Sequence, residues 1–174
     1  MVSVRNEIAG GMAGLPGNRV ADEDVIIHRD AEPIEVWKRA WRAIAQQTST
    51  KALRALQKAL ENDDKRLVQG RTTSPPPLQC VQDWAVEAAC SLGYCGWQGD
   101  GLQTVGEVHE YFAEVCFAAG ERLGEENGVR YFLAWFDETP REEMRFALLV
   151  EVQRELFCRE WPPYEADRTV SHAR

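Results

Sequence analysis

The chain has 174 residues, a net charge of -8, 44% apolar residues and six tryptophans, enough for one packed domain and too apolar for a disordered chain. Its acidity weighs against a general nucleic-acid binder, and no run of about 18 apolar residues is present to form a membrane-spanning helix. Five cysteines, an odd number with no CxxC pair, argue for reduced thiols over a disulfide framework, and the first twenty residues lack a signal-peptide pattern, so a soluble, cytoplasmic protein is expected.

Residues 1–31 are glycine-rich, with an acidic cluster Asp22-Glu23-Asp24 and one apolar patch, Val25-Ile26-Ile27. They read as an irregular N-terminal arm whose patch could dock on the body or on a partner. A helical domain is expected over 32–161. From Pro33 to about Gln47 the residues Ile34, Trp37, Trp41, Ile44 and Ala45 form one stripe, with Lys38, Arg39 and Arg42 opposite. The polar break Thr48-Ser49-Thr50 supplies a cap for a second helix to about Glu61, which buries Leu53, Leu56 and Leu60 and exposes Lys51, Arg54 and Lys58. Together, 33–61 make a basic helical hairpin, and 62–77 read as a linker rich in turn residues and proline.

Three prolines at 75–77 hold the chain extended, so a helix is predicted from Leu78 to Leu92, closed by Gly93. Its broad apolar arc, Leu78, Val81, Trp84, Ala85, Ala88, Ala89 and Leu92, makes it the expected central helix of a bundle. A loop with four glycines, Tyr94, Cys95 and Trp97 follows over 93–101. Thr104 and Glu107 form a capping box for a helix to Leu123, with Val105, Val108, Tyr111, Phe112, Val115, Cys116 and Ala119 inward and Glu107, Glu110, Glu114 and Glu121 outward. A shorter helix should open at Glu125-Glu126 and run to about Phe136. Thr139, Pro140 and Glu142 suggest a second capping box, opening a helix to about Glu160. On that helix Phe146, Leu149, Val150, Leu156 and Phe157 are assigned to the core, leaving Leu148 and Val152 as a second, outer stripe. Trp161 and two prolines end it, and 162–174 form a short C-terminal tail. The fold class expected is thus all-α: a single-domain bundle of about five helices, its 78–161 part acidic.

Charge is divided unevenly. Residues 33–71 carry nine Lys/Arg against four Asp/Glu, and 75–174 carry eight against eighteen. Such polarity favours a charged partner or self-association. No catalytic signature is present, and the three histidines, at 28, 109 and 172, are scattered. Cys80, Cys90, Cys95 and Cys116 fit no closed metal site, and His109 and Cys116 lie two turns apart, too far to share an ion. The expected protein is therefore a non-enzymatic helical binding or adaptor protein that takes a protein partner or a second copy, with no cofactor, no metal and no membrane contact. Its candidate interaction residues are Lys38, Arg39, Arg42, Lys51, Arg54, Lys58, Leu148 and Val152. Two alternatives are a nucleic-acid-associated accessory protein using the basic stretch 38–71, and a cysteine-dependent enzyme or metal protein centred on 93–101, with Cys95 and His109 as its pair.

Overall fold

A computed structural model describes residues 33–125 and 128–161, with side chains from Val36 onward. The expectations for the arm 1–31, for the side chain of Ile34, for Glu126 as a helix opener and for the tail 162–174 fall outside the described residues. The described chain is mostly helical: α1 (Pro33–Gln47), α2 (Thr50–Glu61), α3 (Ser91–Tyr94), α4 (Val105–Leu123), α5 (Arg130–Glu138) and α6 (Arg141–Glu160), with one two-stranded sheet.

The basic hairpin forms as its sequence dictates. Ser49 caps α2 by accepting the Ala52 N–H at 3.0 Å, and the buried Thr48 hydroxyl donates to the Ile44 carbonyl at 3.0 Å. Trp37, Trp41, Ile44 and Ala45 of α1 and Leu53, Leu56 and Leu60 of α2 are all buried. Around this pair, α4, α5 and α6 pack on α1, and α6 packs on α2. The Trp37 and Trp135 rings stack 3.6 Å apart.

The stretch 62–101 departs from the expected linker, central helix and loop. Leu67 is buried and bridges to Ala89, and the strands Thr73–Ser74 (β1) and Ala88–Ala89 (β2) pair antiparallel. The predicted helix 78–92 does not form. Only a 3₁₀ turn, Gln79–Val81, is helical before α3, and Leu78 and Trp84 are 57% and 59% exposed. The backbone of this stretch finds partners elsewhere. The Gln82 and Trp84 carbonyls accept the Gly106 and Val105 N–H groups, the Val86 N–H donates to Gln103, and Ala89 and Cys90 donate to Arg66 and Thr72. Pairing with the segment after α2 and with the open N-terminus of α4 satisfies the same donors and acceptors that a helix would have used.

The glycine-rich stretch is helical instead of a loop. α3 runs into a π-helical turn, Cys95–Asp100, that packs on α2. Gly99 is required there because a Cβ would overlap the Ala52 backbone, and at Gly96 a Cβ would come within 2.8 Å of the Tyr111 ring. Gly101, at φ +88°, ends the turn in the left-handed region.

α4 carries the expected capping box, with the Glu107 carboxylate accepting the Thr104 N–H at 2.9 Å. The second capping box does not form. α6 begins at Arg141 with no side-chain cap, and the end of α5 is satisfied from outside by Gln69, whose side-chain amide donates to the Phe136 and Thr139 carbonyls.

The faces of α6 differ in part from those assigned from sequence: Leu156 is in the core as expected and Leu149 packs against it, but the other assignments are exchanged. Met144, Leu148, Val152 and Leu156 are buried, whereas Phe146, Val150 and Phe157 are exposed. Leu148 and Val152 are therefore core residues. What decides the face is polar: Arg141, Arg145, Glu151 and Arg159 share the inner side of the helix, and each finds a partner there. Turning α6 over would strand all four.

Candidate association surface

Two features hold α6 in place from behind. Carbonyls at and just after the C-termini of α1 and α2, where backbone partners run short, accept further donors from the arginines of α6. Arg159 donates to the Thr48 carbonyl at 2.9 Å and the Ala45 carbonyl at 2.5 Å, and Arg145 donates to the Leu60 carbonyl at 3.1 Å. Arg141 extends the same arrangement beyond α2, donating to the Asp64 and Leu67 carbonyls and to the Asp63 carboxylate at 2.8 to 2.9 Å. The second feature is the buried Glu151, which accepts from Arg42 of α1 at 3.3 Å.

On the opposite side of the helix thus fixed, Phe146, Val150 and Phe157 are 65%, 62% and 63% exposed, and Trp161, one residue beyond its end, is 70% exposed. At about 100° per residue these four fall within one narrow sector. The Arg145 guanidinium covers part of the Phe146 ring, 5.9 Å from its centre. Phe157 borders a shallow groove of about 200 Å³ between α6 and α2, shared with Arg54, Gln57, Gln153 and Glu160. The outer side of α6 thus carries a patch of exposed aromatic side chains edged by polar groups.

The basic candidates are dispersed by the fold. Arg42 is committed to Glu151, Arg39 faces Glu125 at 3.5 Å, and Arg54 is paired with Glu160 and Gln57. Lys38 is half-buried, and Lys51 and Lys58 are exposed on α2. The charge asymmetry along the chain is thus partly spent within the molecule, because the acidic later helices pack on the basic hairpin. A second pocket, of about 260 Å³, lies beside Lys58, Asn62, Asp64, Arg66 and Tyr94. Its charges also pair internally: the Arg66 guanidinium, 2.6 Å away, and the Tyr94 hydroxyl, 2.8 Å away, hold the Asp64 carboxyl far below its usual range.

The cysteine of the stretch 93–101 lies in the interior. Cys90 and Cys95 are buried, and burial pushes the Cys90 thiol up to about 11 and Cys95 higher still. Burial pushes Cys116 up to about 12. Such thiols stay protonated near neutral pH and are poor nucleophiles and ligands. His109 lies on the exposed side of α4. Among the described residues, no three or more His, Cys, Asp or Glu side chains are grouped to hold a metal ion, and no helix is long and apolar enough to cross a membrane.

Sequence reasoning missed the outer face of α6 because both stripes of that helix are apolar. The one usable signal was the set of long polar residues, Arg145, Glu151 and Arg159, on the Leu148 side. Compared with protein-family models, with curated proteins and with solved structures, the chain matches none of them.

Proposed function

We propose that this protein is a non-enzymatic association module, a single-domain helical bundle that binds another polypeptide through the outer face of α6. The observation that carries the reading is the exposed stripe Phe146, Val150 and Phe157 on a helix whose inner face already supplies the core. The reading is further supported by the buried, protonated thiols of Cys90 and Cys95, which weaken a cysteine-centred enzyme or metal site. The pairing of Arg39, Arg42 and Arg54 with carboxylates weakens a phosphate-binding hairpin. A cytoplasmic setting accords with five free cysteines.

The test compares wild type with a Phe146→Glu, Phe157→Glu double variant, each immobilised as the full chain, and identifies bound proteins by mass spectrometry. A set of proteins, this chain included, held by wild type and lost from the variant is the expected result. Binding that survives both substitutions moves the function off this face.

A further inference from the structure

We infer that the occupant of the outer face of α6 is a second copy of this chain, packed antiparallel about a two-fold axis between Gln153 and Arg154; this rests on the association reading above. A two-fold contact must be complementary to itself, because each residue meets its counterpart across the axis. The stripe has this property. Phe146 and Trp161 lie equally far on either side of the midpoint between residues 153 and 154, and so do Val150 and Phe157. When the helix is reversed against a copy, Phe146 meets Trp161 of the second copy and Val150 meets Phe157. Each contact then pairs apolar with apolar, and the Phe146–Trp161 pairing, made once on each side of the axis, joins rings that favour offset or edge-on stacking. At the axis, Gln153 meets Arg154 of the second copy; both are exposed, and the Arg154 guanidinium lies 3.9 Å from the Glu151 carboxylate of its own helix, which offsets its charge there.

Size agrees with this occupant. Three aromatics and a valine that are each about two-thirds exposed leave roughly 500 Å² of apolar surface per copy, given ~150–250 Å² for a whole aromatic side chain. Two copies together would bury roughly 1,000 Å², the lower edge of the range for specific protein contacts. A contact of this size belongs with weak, transient interfaces, so dissociation in the micromolar range is the expected outcome. The rigid backing of α6 lowers the cost of association, because the arginine clamps fix the helix before any partner arrives.

Sedimentation equilibrium on the full chain tests the dimer, with circular dichroism as the control for folding. Wild type should shift from monomer to dimer between low and high micromolar concentration. The Phe146→Glu, Phe157→Glu variant should keep its helicity and weaken dimerisation by more than about a hundredfold, since it puts a charge into all four apolar contacts across the axis. Should that variant lose helicity, Phe146→Ser with Phe157→Ser replaces it.

Register is tested by disulfide trapping in a Cys80→Ser, Cys158→Ser background, mixing a Val150→Cys protein with a Phe157→Cys protein. The mixed disulfide should exceed its statistical share, because residue 150 of one copy faces 157 of the other while the two copies of 150 lie about 10 Å apart along the axis. A wild type that stays monomeric at high concentration overturns the dimer, as does a dimer that survives loss of both phenylalanines or traps the three disulfides in statistical proportion. If that monomer still loses its bound proteins on the double substitution, the association reading stands while the homodimer falls. If no protein depends on those residues, both fall.

Discussion

The inner and outer faces of α6 carry similar apolar content and opposite fates. On the inner face, Met144, Leu148 and Val152 are fully buried, and Arg145, Glu151 and Arg159 reach carbonyls or a guanidinium on α1 and α2. On the outer face, Phe146, Val150 and Phe157 meet solvent, with Gln153 and Arg154 between them. Side-chain hydrophobicity therefore does not choose the buried face of this helix. The choice follows from which face carries the long polar side chains that pair with α1, α2 and the turns after them, since a buried charged group without a partner is costly.

The largest expected effect separates the two faces directly. Leu148→Ala should destabilise the chain by about 2–5 kcal/mol in urea unfolding, because it opens a cavity in a fully packed site. Phe146→Ala should change stability by less than about 0.5 kcal/mol at a protein concentration below dimerisation. Equal costs at the two positions would mean that the faces are not distinguished as described. The clamps come next. Arg159→Ala removes the donor to the Ala45 and Thr48 carbonyls and should cost about 1–3 kcal/mol. Arg154→Ala, at the exposed centre of the outer face, should cost almost nothing, and a matching loss there would remove the clamp from its assigned role.

A smaller effect is expected in acid. The Asp64 carboxyl is held below its ordinary value of 3.8, first by the Arg66 guanidinium, and Asp63 is lowered first by Lys65 and then by Arg141. Because the folded-state values are depressed, the stabilisation is fully present above the unfolded carboxylate range and is lost as pH falls through and below about 4. Asp64→Asn should flatten the stability profile in that window and leave its shape above pH 6 unchanged. A profile that keeps its full acid slope in the variant would place the responsible carboxylates elsewhere.

Where local rules and tertiary contacts agree, the sequence could be read. α1 and α2 have one apolar stripe each, a cap at Ser49 and no competing partner for their backbone, and both were legible almost to the residue. The Thr104–Glu107 capping box was legible for the same reason: both of its bonds lie within four residues. The stretch 78–101 was not. Its helical periodicity was genuine, but the hydrogen bonds of Val86, Ala89 and Cys90 go to residues tens of positions away or to the far side of a turn, and no window of local sequence contains that competition. The glycines at 96 and 99 looked like loop formers because their use, close approach to Tyr111 and Ala52, appears only once those elements meet. On α6 the period was right and the phase was wrong. Both stripes have the right spacing, so local sequence assigns Leu148 and Val152 to the outside with nothing to show that they pack in the core, whereas Arg39, Lys51, Arg54 and Lys58 do lie on the surface.

The smallest expected effect concerns Trp84, which resembles Phe146 in exposure but not in setting. Its side chain is 59% exposed on a non-helical stretch, whereas its carbonyl accepts the Val105 N–H at 2.9 Å and its N–H donates to Val81 at 3.0 Å. The structural work of the residue is therefore done by its backbone. Trp84→Ala preserves both bonds and should cost less than about 0.5 kcal/mol, the range for surface positions away from special features. Trp84→Pro removes the donor and fixes the backbone, so it should cost distinctly more than the alanine variant. Thermal melts of the two variants, followed by circular dichroism, compare side chain with backbone at one position. An alanine variant as unstable as Leu148→Ala would mean that the Trp84 ring is part of the core after all, and exposure would then cease to distinguish the outer face of α6 from the packed interior.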